Sequence, residues 1–173
     1  MNLDLTDKER LMLANQYEIL AKLGNDEHSA LIAETLRDGH KWLYHQLLQD
    51  ILPNLPDEKA DFVLEILGIY RDMKKSYDLL FDKGGIEEQD VRFPGFDGNN
   101  ETDLLFFTKR LIKHHKFVET LGEHGIDSHG RKVEIYDRMI RCWHSLGAPT
   151  YPYSKENIQK ILAARRHQNA SAA

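Results

Sequence analysis

The stretch DEKADFVLEILGIYRDMKKSYDLLF, residues 57–81, decides the fold. Phe62, Val63, Ile66, Leu67, Tyr70, Met73, Tyr77, Leu80 and Phe81 recur at i, i+3, i+4 and i+7, which draws one apolar stripe along an α-helix. The stripe runs for about five turns. A helix of that length needs tertiary partners along most of its face, so it is read as the central element of a helical domain.

Working towards the N-terminus, Pro53 and Pro56 close a helix that begins near Lys41 and carries Leu43, Leu47, Leu48 and Ile51. Before it, Asp26–Asp38 reads as a helix with Leu31, Ile32 and Leu36 on one face and Gly39 as its stop. Thr6 and Glu9 form a capping box at the start of the first helix. Leu13, Tyr17, Leu20 and Leu23 follow at helical spacing, ended by Gly24-Asn25.

Towards the C-terminus the period fails. Residues 82–100, DKGGIEEQDVRFPGFDGNN, hold four of the eleven glycines and form a long connection of a length that is uncommon inside a compact domain. Asn99 or Asn100 is placed to cap a fifth helix lasting to about Leu121, with Leu104, Phe107, Leu111, His115 and Val118 on its stripe. GEHGIDSHG (122–130) is a turn. A sixth helix covers about Arg131–Leu146, with Val133, Tyr136, Met139, Ile140 and Trp143 facing inward, and Ser154 caps a seventh that carries Ile158, Ile161 and Leu162. No strand-type alternation is long enough for a sheet. The reading is all-α: a single domain over residues 1–165, about seven helices around the long central one, and a flexible tail at 166–173.

Composition narrows the function classes. With 41% apolar and 29% charged residues and a net charge of −5, the chain is an ordinary globular one. The acidic balance, with a pI near 6.0, argues against a nucleic-acid-gripping protein. No window approaches the roughly 18 apolar residues of a membrane span, and MNLDLTDKER is polar where a signal peptide is basic and then apolar. A lone cysteine, Cys142, excludes an internal disulfide and fits a reducing compartment, so a cytoplasmic setting is expected.

Little in the sequence points to catalysis. The nine histidines show no HExxH and no Cys partner, so no metal and no cofactor is assigned. Cys142 and His144 diverge on one helix, and Cys142 reads as a buried, inert thiol. Counting from Asp97, positions six and twelve of a calcium loop are Thr102 and Thr108, which excludes an EF-hand. The basic bands at Lys109–Lys116 and Arg131–Arg141 read as solvated helix faces. Arg110 and His115 match the Arg-x4–6-His spacing of HEPN-type ribonucleases, in which histidine handles the 2′-OH proton and arginine steadies the phosphate. Two such matches occur in the chain, against about 1.5 expected by chance. A metal-independent ribonuclease using Arg110 and His115 is therefore the alternative reading.

The blocks LMLANQYEIL (11–20), FPGFDGNNE (93–101), YDRMIRCWHSLG (136–147) and YPYSKENIQKIL (151–162) resemble the YfbU family of bacterial proteins in order and spacing. The resemblance implies a multi-helical fold, assembly into homo-oligomers, and no established catalytic residues; it is compatible with a module that binds a ligand or a protein partner. It directs attention to Asn15, Gln16 and Tyr17, read as a structural polar group that pins the 82–100 connection. It also directs attention to Phe96, Asp97, Trp143 and His144, read as the walls of a ligand pocket between helices.

Overall fold

A computed structural model describes residues 4–48 and 54–166 of the chain. The described residues are all-α, with eight α-helices and one 3-10 turn: α1 (Asp7–Gly24), α2 (Glu27–Asp38), α3 (Lys41–Leu47), α4 (Asp57–Leu79), the 3-10 turn Glu88–Val91, α5 (Thr102–Lys113), α6 (Val118–Leu121), α7 (Val133–Ser145) and α8 (Lys155–Ala163). Contacts divide the chain into two compact units, residues 1–54 and 55–173. The expected Ile51, the Pro53 stop and the 167–173 part of the expected tail lie outside the described residues.

In the first unit the local signals act as their chemistry dictates. The Thr6 hydroxyl accepts from the Glu9 N–H at 3.3 Å while the Glu9 carboxylate accepts from the Thr6 N–H at 2.8 Å. Asn25 ends α1 in the left-handed region, and the Asp26 carboxylate accepts from the His28 and Ser29 N–H groups to start α2. A small core forms from Ala14, Ile32, Leu36 and Tyr44, with Leu13 and Tyr17 packed against it. Leu20, Leu23, Leu31 and Leu43, expected inside, are exposed instead. On α1 they lie off the face that Leu13, Ala14 and Tyr17 turn inward, and Tyr44 takes the inner position of α3.

The second unit is built on α4. Val63, Ile66, Leu67, Tyr70, Met73 and Tyr77 are buried as the stripe predicts, and α5, α6, α7 and α8 each pack on this helix. The helix ends two residues short of Phe81, whose side chain is fully exposed. The long connection is ordered by its own apolar residues: Ile86, Val91, Phe93 and Phe96 are buried in the same core. Phe93 and Phe96 join Tyr70 and Tyr136 in a four-ring cluster with edge-to-face and stacked contacts at 5.4–6.0 Å.

The fifth helix does not run to Leu121. It stops at Lys113, His115 and Phe117 turn to positive φ, and α6 follows as a separate turn. An unbroken helix would carry Leu121 about 100° around from Leu104; the break lets both side chains enter one core, 1% and 5% exposed. The cap also differs from expectation. Glu101, not Asn99 or Asn100, is the N-cap residue of α5, and its side chain serves another helix.

Candidate functional site

The GFDGNNE segment (95–101) is held from both ends. Phe96 pairs with Asp127 in an isolated parallel bridge, with the Phe96 N–H donating to the Ile126 carbonyl at 3.2 Å and the Ser128 N–H to the Phe96 carbonyl at 3.1 Å. The Tyr136 hydroxyl donates to the Gly95 carbonyl at 2.5 Å. Asp97 is buried and closes an Asx turn, accepting from the Asn99 N–H at 2.9 Å and the Asn100 amide at 2.6 Å. Glu101 is also buried, and its carboxylate accepts three backbone N–H groups: Asp97 at 3.0 Å, Lys132 at 2.6 Å and Val133 at 2.8 Å. The last two belong to the start of α7, where unpaired donors and the helix dipole favour an anion. Glu101 thus caps a helix that begins 32 residues later.

Electrostatics reinforces this turn. The Asn99 N–H, and after it the Asn100 amide, hold the Asp97 carboxyl below its ordinary value of 3.8. The N–H groups of His129 and Gly98 do the same for Asp127. Both carboxyls titrate lower folded than unfolded, so their stabilisation is complete above about pH 4 and is lost as pH falls through the folded values. Asp97→Asn is therefore expected to lower the melting temperature at pH 7, with the gap to wild type closing in an acid series of thermal melts as the pH falls through the folded value of Asp97. A gap that stays constant to the lowest pH would show that the charge of Asp97 is not what stabilises the turn.

The residues expected to line one pocket fall into two groups near opposite ends of α7. Phe96 and Asp97 sit at its start, beside Tyr136 and Glu101. Trp143 and His144 occupy its last turn, where the Trp143 indole N–H donates to the Tyr153 hydroxyl at 3.1 Å and His144 Nε2 lies 2.7 Å from Glu65 Oε1. Burial pushes the Tyr153 hydroxyl up to about 12. Tyr153 is fixed again through its N–H, which donates to the Ser76 hydroxyl of α4 at 2.8 Å. Asn15 and Gln16, expected to be buried, are exposed. Asn15 accepts from the Arg37 guanidinium, which also pairs with Glu18, so these residues tie α1 to α2. Cys142 is half-buried against the Lys160 carbonyl.

Arg110 lies near the end of α5, and His115 stands beyond it at φ 56°, both exposed. Neither side chain makes a hydrogen bond or ion pair among the described residues. No three His, Cys, Asp or Glu side chains converge among the described residues in a way that would hold a metal ion. Within the same limit, no helix is long and apolar enough to cross a membrane.

Two features had no signal in the reading of the sequence. Glu101 is one. The other is a cleft of about 490 Å³ in the second unit, between α4, the 3-10 turn and α6.

Comparison with known proteins places this architecture. The chain is 31% identical over 170 residues to a UPF0304 protein of Methanocaldococcus jannaschii, an alignment covering 92% of this chain and 99% of that one. It is also 31% identical over 168 residues to a UPF0304 protein of Actinobacillus succinogenes, covering 94% and 100%. The family model described as the YfbU domain matches residues 3–164, a span that includes all four sequence blocks and every helix described above, and the chain belongs to the YfbU family.

Proposed function

We propose that the protein is a partner-binding module without chemistry of its own, working in the cytoplasm, and that its first partner is a second copy of the chain held through α1. The observation that carries this reading is the outer face of α1. Met12, Ile19 and Leu23 are each more than half exposed, Leu23 by 82%. With Gln16 they are spaced four, three and four residues apart, the 3.5-residue repeat of a coiled-coil seam. Leu11 and Leu20 flank the seam and are exposed as well, and the same unit carries Trp42 at 72% exposure. Scattered single apolar residues need no explanation, but a seam in register does. A seam that repeats along one helix is complementary to a copy of itself, and Gln16 within it is the kind of polar seam residue that fixes register at some cost in affinity.

The test is sedimentation velocity of the full chain between about 1 and 100 µM. Wild type is expected to sediment as a dimer or larger assembly. The double variant Ile19→Glu/Leu23→Glu is expected as a 20.1 kDa monomer with unchanged helical circular dichroism. An unpaired buried carboxylate costs several kcal/mol, so the dissociation constant should rise by at least about 100-fold. Gln16→Leu should tighten the assembly. A monomeric wild type at the highest concentration overturns the reading.

A further inference from the structure

The cleft between α4, the 3-10 turn and α6 is lined by four cations, Arg71, Lys74, Lys75 and Arg92, and three acids, Asp78, Glu88 and Glu119. Its apolar lining residues are Tyr70, Val91, Phe93 and Ile126, of which the first three are buried in the core and Ile126 is half-buried. At about 490 Å³ it falls in the range of small-molecule sites. On its rim Lys74 is neutralised by Asp78 at 2.7 Å and approached by Glu88 at 3.8 Å, and Arg92 pairs with Glu88 at 2.6 Å. The lining holds two further cations of α4, of which Arg71 is ion-paired with Asp72 at 2.9 Å. The Arg71 guanidinium lies over the Phe117 ring at 5.3 Å and gives its Nε to Asp72, while its two terminal amino groups make no hydrogen bond among the described residues. Lys75 is exposed and has no ion-pair partner among them.

Arg71 and Lys75 are one helical turn apart and both line the cleft. Like charges at that spacing destabilise a helix by a few tenths of a kcal/mol, a cost that a bound anion removes. On the facing wall, the buried Thr120 hydroxyl also has no hydrogen-bond partner among the described residues. The chain as a whole carries a net charge of −5, so a cleft lined by four cations and three acids runs against its average.

We propose that this cleft binds a small aromatic acid, its phosphate or carboxylate held by the terminal amino groups of Arg71 and by Lys75 and its ring laid against Ile126. The site lies wholly within the second unit, so it stands or falls independently of pairing through α1. Phenyl phosphate is the probe, titrated calorimetrically into the full chain, with inorganic phosphate and phenol as its two halves. Phenyl phosphate is expected to bind with a dissociation constant of about 1 mM or below, and each half at least about tenfold more weakly. Lys75→Glu should weaken phenyl phosphate by about tenfold, and Glu119→Lys, which removes an exposed acid from the facing wall, should tighten it by about threefold. Both substitutions are at exposed positions and should leave the melting temperature unchanged, so opposite shifts in affinity report the site and not the fold. Absence of saturable binding overturns the proposal. So does inorganic phosphate or phenol binding as tightly as phenyl phosphate, and so do two charge variants that shift affinity in the same direction or not at all.

Discussion

Glu101→Ala is expected to destabilise the second unit by about 3–5 kcal/mol, because it strands three backbone donors at once. The Asp97, Lys132 and Val133 N–H groups all point at this one carboxylate, and the residue is only 6% exposed, so water cannot replace it without opening the turn. The effect should be graded by chemistry. In Glu101→Gln a carbonyl oxygen can still accept from Lys132 and Val133, but the amide NH2 then faces the Asp97 N–H, donor against donor. The negative charge at the start of α7 is also lost. A cost of about 2 kcal/mol is expected there, between wild type and alanine. Each unit contains one tryptophan, Trp42 in the first and Trp143 in the second, which separates local from global effects. In a Trp42→Phe background, urea unfolding followed by Trp143 fluorescence should shift to lower denaturant for Glu101→Ala. In a Trp143→Phe background the transition reported by Trp42 should move much less. Equal shifts at both reporters, or a Gln variant as damaging as Ala, would contradict the role of Glu101 as a shared cap.

That role could not be read from the sequence, and the reason is distance along the chain. An acid in a polar turn looks like a local cap, and the donors that bind Glu101 lie 31 and 32 residues further on. The features that were legible are those whose partners are near in sequence. Thr6 and Glu9 are three residues apart, Ser154 caps Asn157 at the same interval, and the stripe on α4 repeats within a single helix. Periodicity itself has a blind side. It finds apolar residues at helical spacing but cannot say whether a protein core or a partner covers them. That is why Leu20 and Leu23 of α1 read as core and emerged exposed. Asn15 and Gln16 illustrate the converse. Polar residues inside an apolar block invite a buried network, whereas here one bonds Arg37 in the open and the other lies within the exposed seam. Phe96 and Asp97 read from the sequence as walls of a pocket. Their surroundings are those of a turn packed into the core, where an aromatic cluster and an Asx turn account for both residue types.

The same turn sets the second large expectation, at Gly95. Its φ of +96° lies where a side chain is strained, and a Cβ built on it would collide with the Ile126 backbone carbonyl. That carbonyl is the acceptor for the Phe96 N–H, and the Gly95 carbonyl is the acceptor for the Tyr136 hydroxyl, so neither side of the bridge can retreat without giving up a hydrogen bond. Gly95→Ala is therefore expected to cost about 3 kcal/mol or more, combining backbone strain with loss of the bridge. Two other glycines separate these contributions. Gly122 has a φ of +68° and nothing within 4 Å of a would-be Cβ, so Gly122→Ala should cost about 1–2 kcal/mol from backbone strain alone. Gly130 has neither a positive φ nor a near neighbour, and Gly130→Ala should stay within about 0.5 kcal/mol of wild type. Measured by urea unfolding of the full chain, the three variants should rank Gly95, Gly122, Gly130 in decreasing cost. If Gly95→Ala proves no worse than Gly122→Ala, then the approach of 95 to 126 is loose enough to admit a methyl group. The 93–101 segment would in that case be a turn that happens to lie against residues 126–128, not one locked to them.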